Sequence, residues 1–272
     1  MGGFAKKALI GVLAAGTAMP AFAADVYEPV PDPVPVVEPV VEPVDTGGWY
    51  IRGDLGGHWA EFGEAEYITY GETGGTDILE GDLKGAFSLG GGVGYQINDY
   101  FRTDLTADYW FDADFEGSSG GGITRDTSSM SALLLLANAY VDLGTYGGFT
   151  PYIGAGIGGA HIKWDNLTNV PPGAEHEGAS NWRFAAAAMV GASYCVSNKL
   201  KLDAGYRFTH IEGGRMFERV GTEPGPGFDD GFDVHEVRAG LRYALGGSSN
   251  GCYEPEAVAY EPPPPVVEPI YK

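Results

Sequence analysis

Residues 100–114 read YFRTDLTADYWFDAD. Taken every second residue, Phe101, Thr103, Leu105, Ala107, Tyr109, Phe111 and Ala113 form an apolar set. Tyr100, Arg102, Asp104, Thr106, Asp108, Trp110, Asp112 and Asp114 form a mostly charged one. A β-strand sends alternate side chains to opposite faces, so the stretch predicts one apolar and one charged face. It is long enough to cross a bilayer as a tilted strand, which takes about 9–11 residues. In a soluble sandwich the charges point to water; in a membrane barrel the apolar set meets lipid and the charges fill the lumen. Aromatic residues near both ends of the apolar set fit membrane interfaces.

Seven further stretches share the pattern: 49–60, 84–97, 130–143, 151–164, 181–195, 199–211 and 232–245. Short turns at 98–99, 145–148 and 196–198 alternate with long polar connections at 61–83, 116–129, 165–180 and 212–231. A barrel with one rim in the periplasm and the other outside produces that alternation. A sandwich gives no reason for it. The even strand count places both ends of the barrel on the periplasmic side. The polar parity carries both signs: Arg52, Arg102, Arg207, Arg238 and Arg242 beside Asp54, Asp104, Asp108, Asp203 and Glu236. Buried charges persist when paired, so these residues, with Tyr140, predict a lumen network.

The flanks differ from the barrel. Lys6 and Lys7, an apolar run over 8–18 and Ala21-Phe22-Ala23 read as a secretory signal peptide over 1–24. Residues 25–46 form a Pro/Val/Glu-rich linker, the barrel spans 47–246, and 247–272 form a second Pro-rich tail. Such proline density favours disordered, extended spacers in the periplasm. Removing the leader, with its two lysines and no acid, takes the net charge from −21 to −23. That balance argues against nucleic acid as a partner. The 44 glycines, many inside strands, suit a crowded, curved wall. After the leader, no apolar run is long enough for a helical span.

The leader, the amphipathic strands, the alternating connections and the last strand, 237–245 (VRAGLRYAL), together resemble the small outer-membrane barrels. That class includes the OmpA/OmpX-type transmembrane domains and the opacity-protein-like surface antigens. Residues 151–158 (PYIGAGIG) look like the glycine-rich fifth strand common there. The resemblance implies an all-β fold: an eight-stranded antiparallel up-and-down barrel in the outer membrane. Its surroundings would be outer-membrane lipid and lipopolysaccharide. Its last strand would be read by the barrel-assembly machinery. A structural, surface-exposed role follows, with adhesin or surface antigen as an elaboration. The proline-rich tails are candidates for contact with peptidoglycan or a periplasmic partner. No peptidoglycan-binding domain is expected after the barrel.

Two other functions are weighed against this one. Lipid A-modifying barrels carry a Ser–His–acid set near the outer rim. His58, His161, His210 and His235 fall near that rim and His176 in a long connection, but no GxSxG or HExxH string accompanies them. No catalytic residue, metal site or cofactor is assigned. A pore is disfavoured because an eight-stranded barrel is just wide enough to be filled by side chains. Lys163, Arg183, Arg215 and Arg219 at the outer rim are candidates for lipopolysaccharide phosphates, with plain solvation as the other reading. Cys195 and Cys252, the only cysteines, both fall on the periplasmic side, where an oxidising compartment favours a bridge between them.

Overall fold

The computed structural model describes residues 47–69, 75–171, 173–218, 224–246 and 252. The leader, the linker, the tail other than Cys252, and Arg219 lie outside the described residues. The described chain is all β: β1 (Gly48–Phe62), β2 (Ala65–Thr69), β3 (Gly75–Gln96), β4 (Phe101–Ser118), β5 (Arg125–Asp142), β6 (Phe149–Trp164), β7 (Leu167–Val170), β8 (Ala174–His176), β9 (Ser180–Cys195), β10 (Leu200–Phe217) and β11 (Pro224–Ala244).

Eight of these strands close a ring. The antiparallel order is β1–β3–β4–β5–β6–β9–β10–β11, and β11 returns to β1 with Tyr50 opposite Ala244. Closure removes the free edges that an open sheet would present. The first and last strands of the ring meet at the end that carries the three short turns.

The outward face is apolar. Leu55, Leu105 and Ile157 are each more than 60% exposed, among many other large apolar side chains. A surface like that belongs in lipid rather than water. Trp49, Tyr95, Phe101, Phe149, Tyr194 and Tyr243 line its short-turn edge; Trp59, Phe87, Tyr109, Phe111, Trp182 and Phe184 line the other. Trp49 and Trp59 mark the two girdles on β1. At ~3.3 Å per residue and a tilt of ~40°, they stand about 25 Å apart along the membrane normal, the height of an outer-membrane apolar band.

Three sequence expectations change. The long connections are largely strand, not irregular loop. Main-chain pairing continues past the band because β2 inserts between β11 and β3. On the other side β7 joins β5, and β8 joins β7. A bridge from Gly178 to Phe217, flanked by Glu218 N–H to the Glu177 carbonyl at 2.8 Å, carries the sheet on to β10. The result is a second closed ring, a crown above the apolar band. The second change is in β4, where a bulge between Trp110 and Ala113 reverses the alternation. Ala113 and Phe115 point inward while Asp112 and Asp114 point out, opposite to the simple period. Third, the interior is charged mainly in its short-turn half, the buried Arg183–Asp229 pair and Asp126 apart. Toward the crown it is an apolar core of Trp110, Leu134, Met130, Ile162, Ile211 and Val234, among others.

Candidate functional site

The lumen is built from residues two apart on each strand. Inward on β1 stand Tyr50, Arg52, Asp54 and His58; on β4, Arg102, Asp104, Thr106, Asp108 and Trp110; on β11, Glu236, Arg238 and Arg242. Asp108 reaches across to both Arg207 (2.7 Å) and Arg238 (2.7 Å). Arg207 also pairs with Glu236 at 2.6 Å, and Ser88 bonds Glu236 from the neighbouring wall. Arg52 pairs with Asp54 (2.7 Å) and Asp104 (2.9 Å), while Arg238 touches Asp54 at 3.3 Å. The Tyr50 hydroxyl (3.1 Å) and the Asn138 amide (2.7 Å) donate to Asp104. The network therefore joins opposite walls, and its members are almost fully buried.

A second group lies nearer the short turns. Arg242 meets Asp203 at 3.4 Å and donates to the Ser193 hydroxyl at 2.8 Å. Arg102 pairs with Asp142 at 3.0 Å, an acid that the sequence reading left out of the network. Its guanidinium also lies 3.8 Å from the centre of the Tyr140 ring, a cation–π contact. Lys201, which sequence reading also passed over, is buried beside these groups.

Glycine makes room for the charges. A Cβ at Gly90 would strike the Asp108 carboxylate, and one at Gly240 would strike Asp54. The wall opposite a large polar side chain must be bare because the ring is narrow. Between Arg52, Tyr140, Tyr152, Asp203, Arg207 and Arg238 lies a cavity of about 10 Å³, room for roughly one water.

Above the network the lumen turns apolar and then aromatic. His58 stacks on Trp110 with ring centres 5.0 Å apart, so it is an interior residue rather than a rim one. Phe62, Phe115 and Trp164 cross edge to face at 5.2–5.9 Å and cap the core. Arg183 is a correction: it does not face the surroundings. It is buried in the crown, bonded to Asp229 at 2.6 Å and to the Arg215 carbonyl at 3.0 Å. Burial pushes the Asp229 carboxyl up, and the Arg183 hydrogen bond opposes that shift. Lys163 and Arg215 are exposed, paired with Asp165 (3.5 Å) and Glu218 (3.0 Å). Asp126 is buried in the crown and accepts from the Asn169 amide at 2.6 Å. His176, also buried there, packs on Phe217, and burial holds its imidazole below the ordinary value.

The remaining histidines are surface groups of the outer girdle. His235 stacks on Trp59, bonds the Tyr206 hydroxyl at 2.5 Å and lies 3.6 Å from Glu61. His210 bonds Asp233 at 2.7 Å. At the opposite end Cys195 and Cys252 form a disulfide with Cα atoms 5.6 Å apart.

The model of the outer membrane protein beta-barrel domain family matches residues 12–244. This chain belongs to that family. The protein is an outer-membrane β-barrel, and barrels of this kind carry short turns on the periplasmic side and longer connections outside. An uncharacterized protein of Brucella abortus is 35% identical over 86% of this chain and 94% of its own length. A Rickettsia rickettsii protein named as a candidate adhesin is 26% identical over 72% of this chain and 88% of its own. Among solved structures, the outer membrane protein OprG from Pseudomonas aeruginosa covers 74% of this chain and 97% of that one. Its TM-score is 0.50 at 13% identity, a likeness of fold alone.

Proposed function

We propose that this outer-membrane barrel is a sealed scaffold that displays a rigid crown to the surroundings of the cell, serving envelope structure and surface contact of the adhesin kind. The filled lumen carries the reading. Among the described residues, ion-paired groups fill one half and an apolar core the other, and the cavity between Arg52 and Arg207 has room for about one water. The chain's tertiary order is spent instead on continuing the barrel beyond the membrane. The Rickettsia relative named as a candidate adhesin supports the same direction.

The protein works without catalysis on this reading. Acyl transfer at the outer rim needs a nucleophile hydrogen-bonded to its base. Among the described residues no serine, threonine or cysteine is hydrogen-bonded to His161, His210 or His235, whose partners are Trp182, Asp233, and Trp59, Tyr206 and Glu61. On this reading the exposed Lys163 and Arg215 are candidates for lipopolysaccharide phosphates, and the aromatic last strand for recognition by the barrel-assembly machinery. The proline-rich tails are assigned to periplasmic or peptidoglycan contact.

The test is expression in a non-adherent Gram-negative host. Binding of those cells to epithelial monolayers is compared with a variant whose crown strands are replaced by short turns. Equal binding by both removes the surface role. Stepwise conductance in planar bilayers would favour a pore instead, and altered lipid A masses on expression would favour an enzyme.

A further inference from the structure

The crown is closed unequally. On one wall, ladders run from β3 through β2 to β11 and from β11 to β10. On the other, β5, β7 and β8 pair in turn. There, among the described residues, the chain leaving β8 meets β10 through the isolated bridge between Gly178 and Phe217. Two main-chain bonds flank it: Ala179 N–H to the Met216 carbonyl at 2.9 Å and Glu218 N–H to the Glu177 carbonyl at 2.8 Å. Local opening of a folded chain begins where so few bonds hold two segments together.

A histidine is buried at this seam. His176, the last residue of β8, is 6% exposed and packs on Phe217 with ring centres 5.1 Å apart. Its Nδ1 has no hydrogen-bond partner. The charged groups around it are Asp126 from β5, Glu218 from β10 with its partner Arg215, and Glu175 and Glu177 on its own segment. The facing strand β7 carries none. Asp126 is already engaged by the Asn169 amide at 2.6 Å and the Thr124 hydroxyl at 3.2 Å. Burial holds the His176 imidazole below its ordinary value, against the pull of Asp126. Opening the seam hydrates the ring and returns it to the ordinary range. The open form therefore binds the proton more tightly, and acid favours it. The carboxylates act in the other direction. Glu177 and Glu218 are opposed across the seam, and protonating them relieves a like-charge repulsion.

We propose that the junction between β8 and β10 is an acid-operated seam in the crown, with His176 as its trigger. Once protonated, His176 leaves Phe217 and the Gly178–Phe217 bridge parts. The main-chain groups of 177–179 and 216–218 then form a free sheet edge. The seam regulates the crown on which the proposed surface role rests, so that the surface on display changes with the acidity of the surroundings.

The test is amide hydrogen exchange on the full-length protein refolded in detergent. Rates at about pH 7.5 and about pH 5, either side of the ordinary histidine range, are corrected for the intrinsic pH dependence of exchange. One linked proton raises the opening constant by up to about tenfold per pH unit. The amides of Ala179 and Glu218 should therefore lose roughly fivefold protection or more in acid, while those of β2 on the other wall keep theirs. His176→Phe, which retains an aromatic ring against Phe217, should abolish the response. Equal loss of protection on both walls overturns the seam, and so does an undiminished acid response in His176→Phe. Should that variant fail to fold, the comparison of the two walls in the unmodified protein decides alone. Cell binding is a separate measurement, so failure of the seam leaves the surface role standing.

Discussion

The two halves of the barrel interior solve the same packing problem with opposite chemistry. In the periplasmic half, Arg52, Arg207 and Arg238 interlock with Asp54, Asp104, Asp108 and Glu236. In the outer half, Trp110, Leu134, Ile162, Ile211 and Val234 pack with almost no exposure. An apolar filling tolerates changes of similar volume and loses energy smoothly as contacts are removed. A charged filling does not. Each carboxylate is held by guanidinium groups on other strands, so deleting one member leaves the others charged and dry. The charged half thereby ties distant strands to one another through directional bonds, while the apolar half is the more forgiving seal.

The largest expected effect tests that contrast at its centre. Asp108→Ala takes one carboxylate from each of two buried arginines, leaving Arg207 with Glu236 and Arg238 with Asp54, and should destabilise the barrel by about 3 kcal/mol. The readout is urea unfolding in detergent, followed by heat-modifiable gel migration. Ile162→Ala, fully buried in the apolar half, should cost about 2–4 kcal/mol. If the two cost the same and Asp108→Ala leaves Arg207 ordered, the halves do not differ as argued.

The Arg183–Asp229 pair sharpens the comparison, being charged chemistry set inside the apolar crown. Asp229→Ala alone should cost about 3 kcal/mol, whereas Arg183→Met with Asp229→Leu should be close to neutral. A double variant as damaged as the single would show that the pair also positions Asn181 and the Arg215 carbonyl, which Arg183 bonds.

His176 provides a pH-dependent version. Its imidazole is held below the ordinary value by burial, with Asp126 opposing, so folding favours the neutral form. For a base with a lowered folded pKa, the unfolded state binds more protons as pH falls. Its contribution is therefore complete above the ordinary histidine range, near pH 6.5. It declines as the medium is acidified through that range. Protease cleavage within 165–180 should rise below about pH 6.5 and stay flat in His176→Phe. A cleavage profile that is unchanged by the substitution would place the acid sensitivity elsewhere.

The smallest effect belongs to the surface. Lys84 and Glu116 form a 2.6 Å ion pair in full solvent, and Lys84→Ala should leave the unfolding midpoint unmoved. A shift comparable to that of Asp108→Ala would mean that the crown's outer face is as tightly coupled as the lumen.

Period-two alternation is a local property, and it carried most of the fold. The apolar outward set, the polarity of the inward set near the periplasm, the alternation of short and long connections, and the placement of Cys195 and Cys252 at one end are all readable from neighbouring residues. The strands closed in the order that up-and-down topology requires, because each pairs with the next across a turn or a long connection. What the sequence could not decide depends on distance in space. The bulge after Trp110 turned Ala113 inward, since register is set by two strands together and not by one. The long connections became a crown because their backbone groups found partners in β2, β7 and β8. Arg102 took Asp142, and Arg183 turned inward to Asp229. A charge on a strand end reads alike whether it faces solvent or a partner on a strand nearby, and strand register decides which partner comes within bonding range.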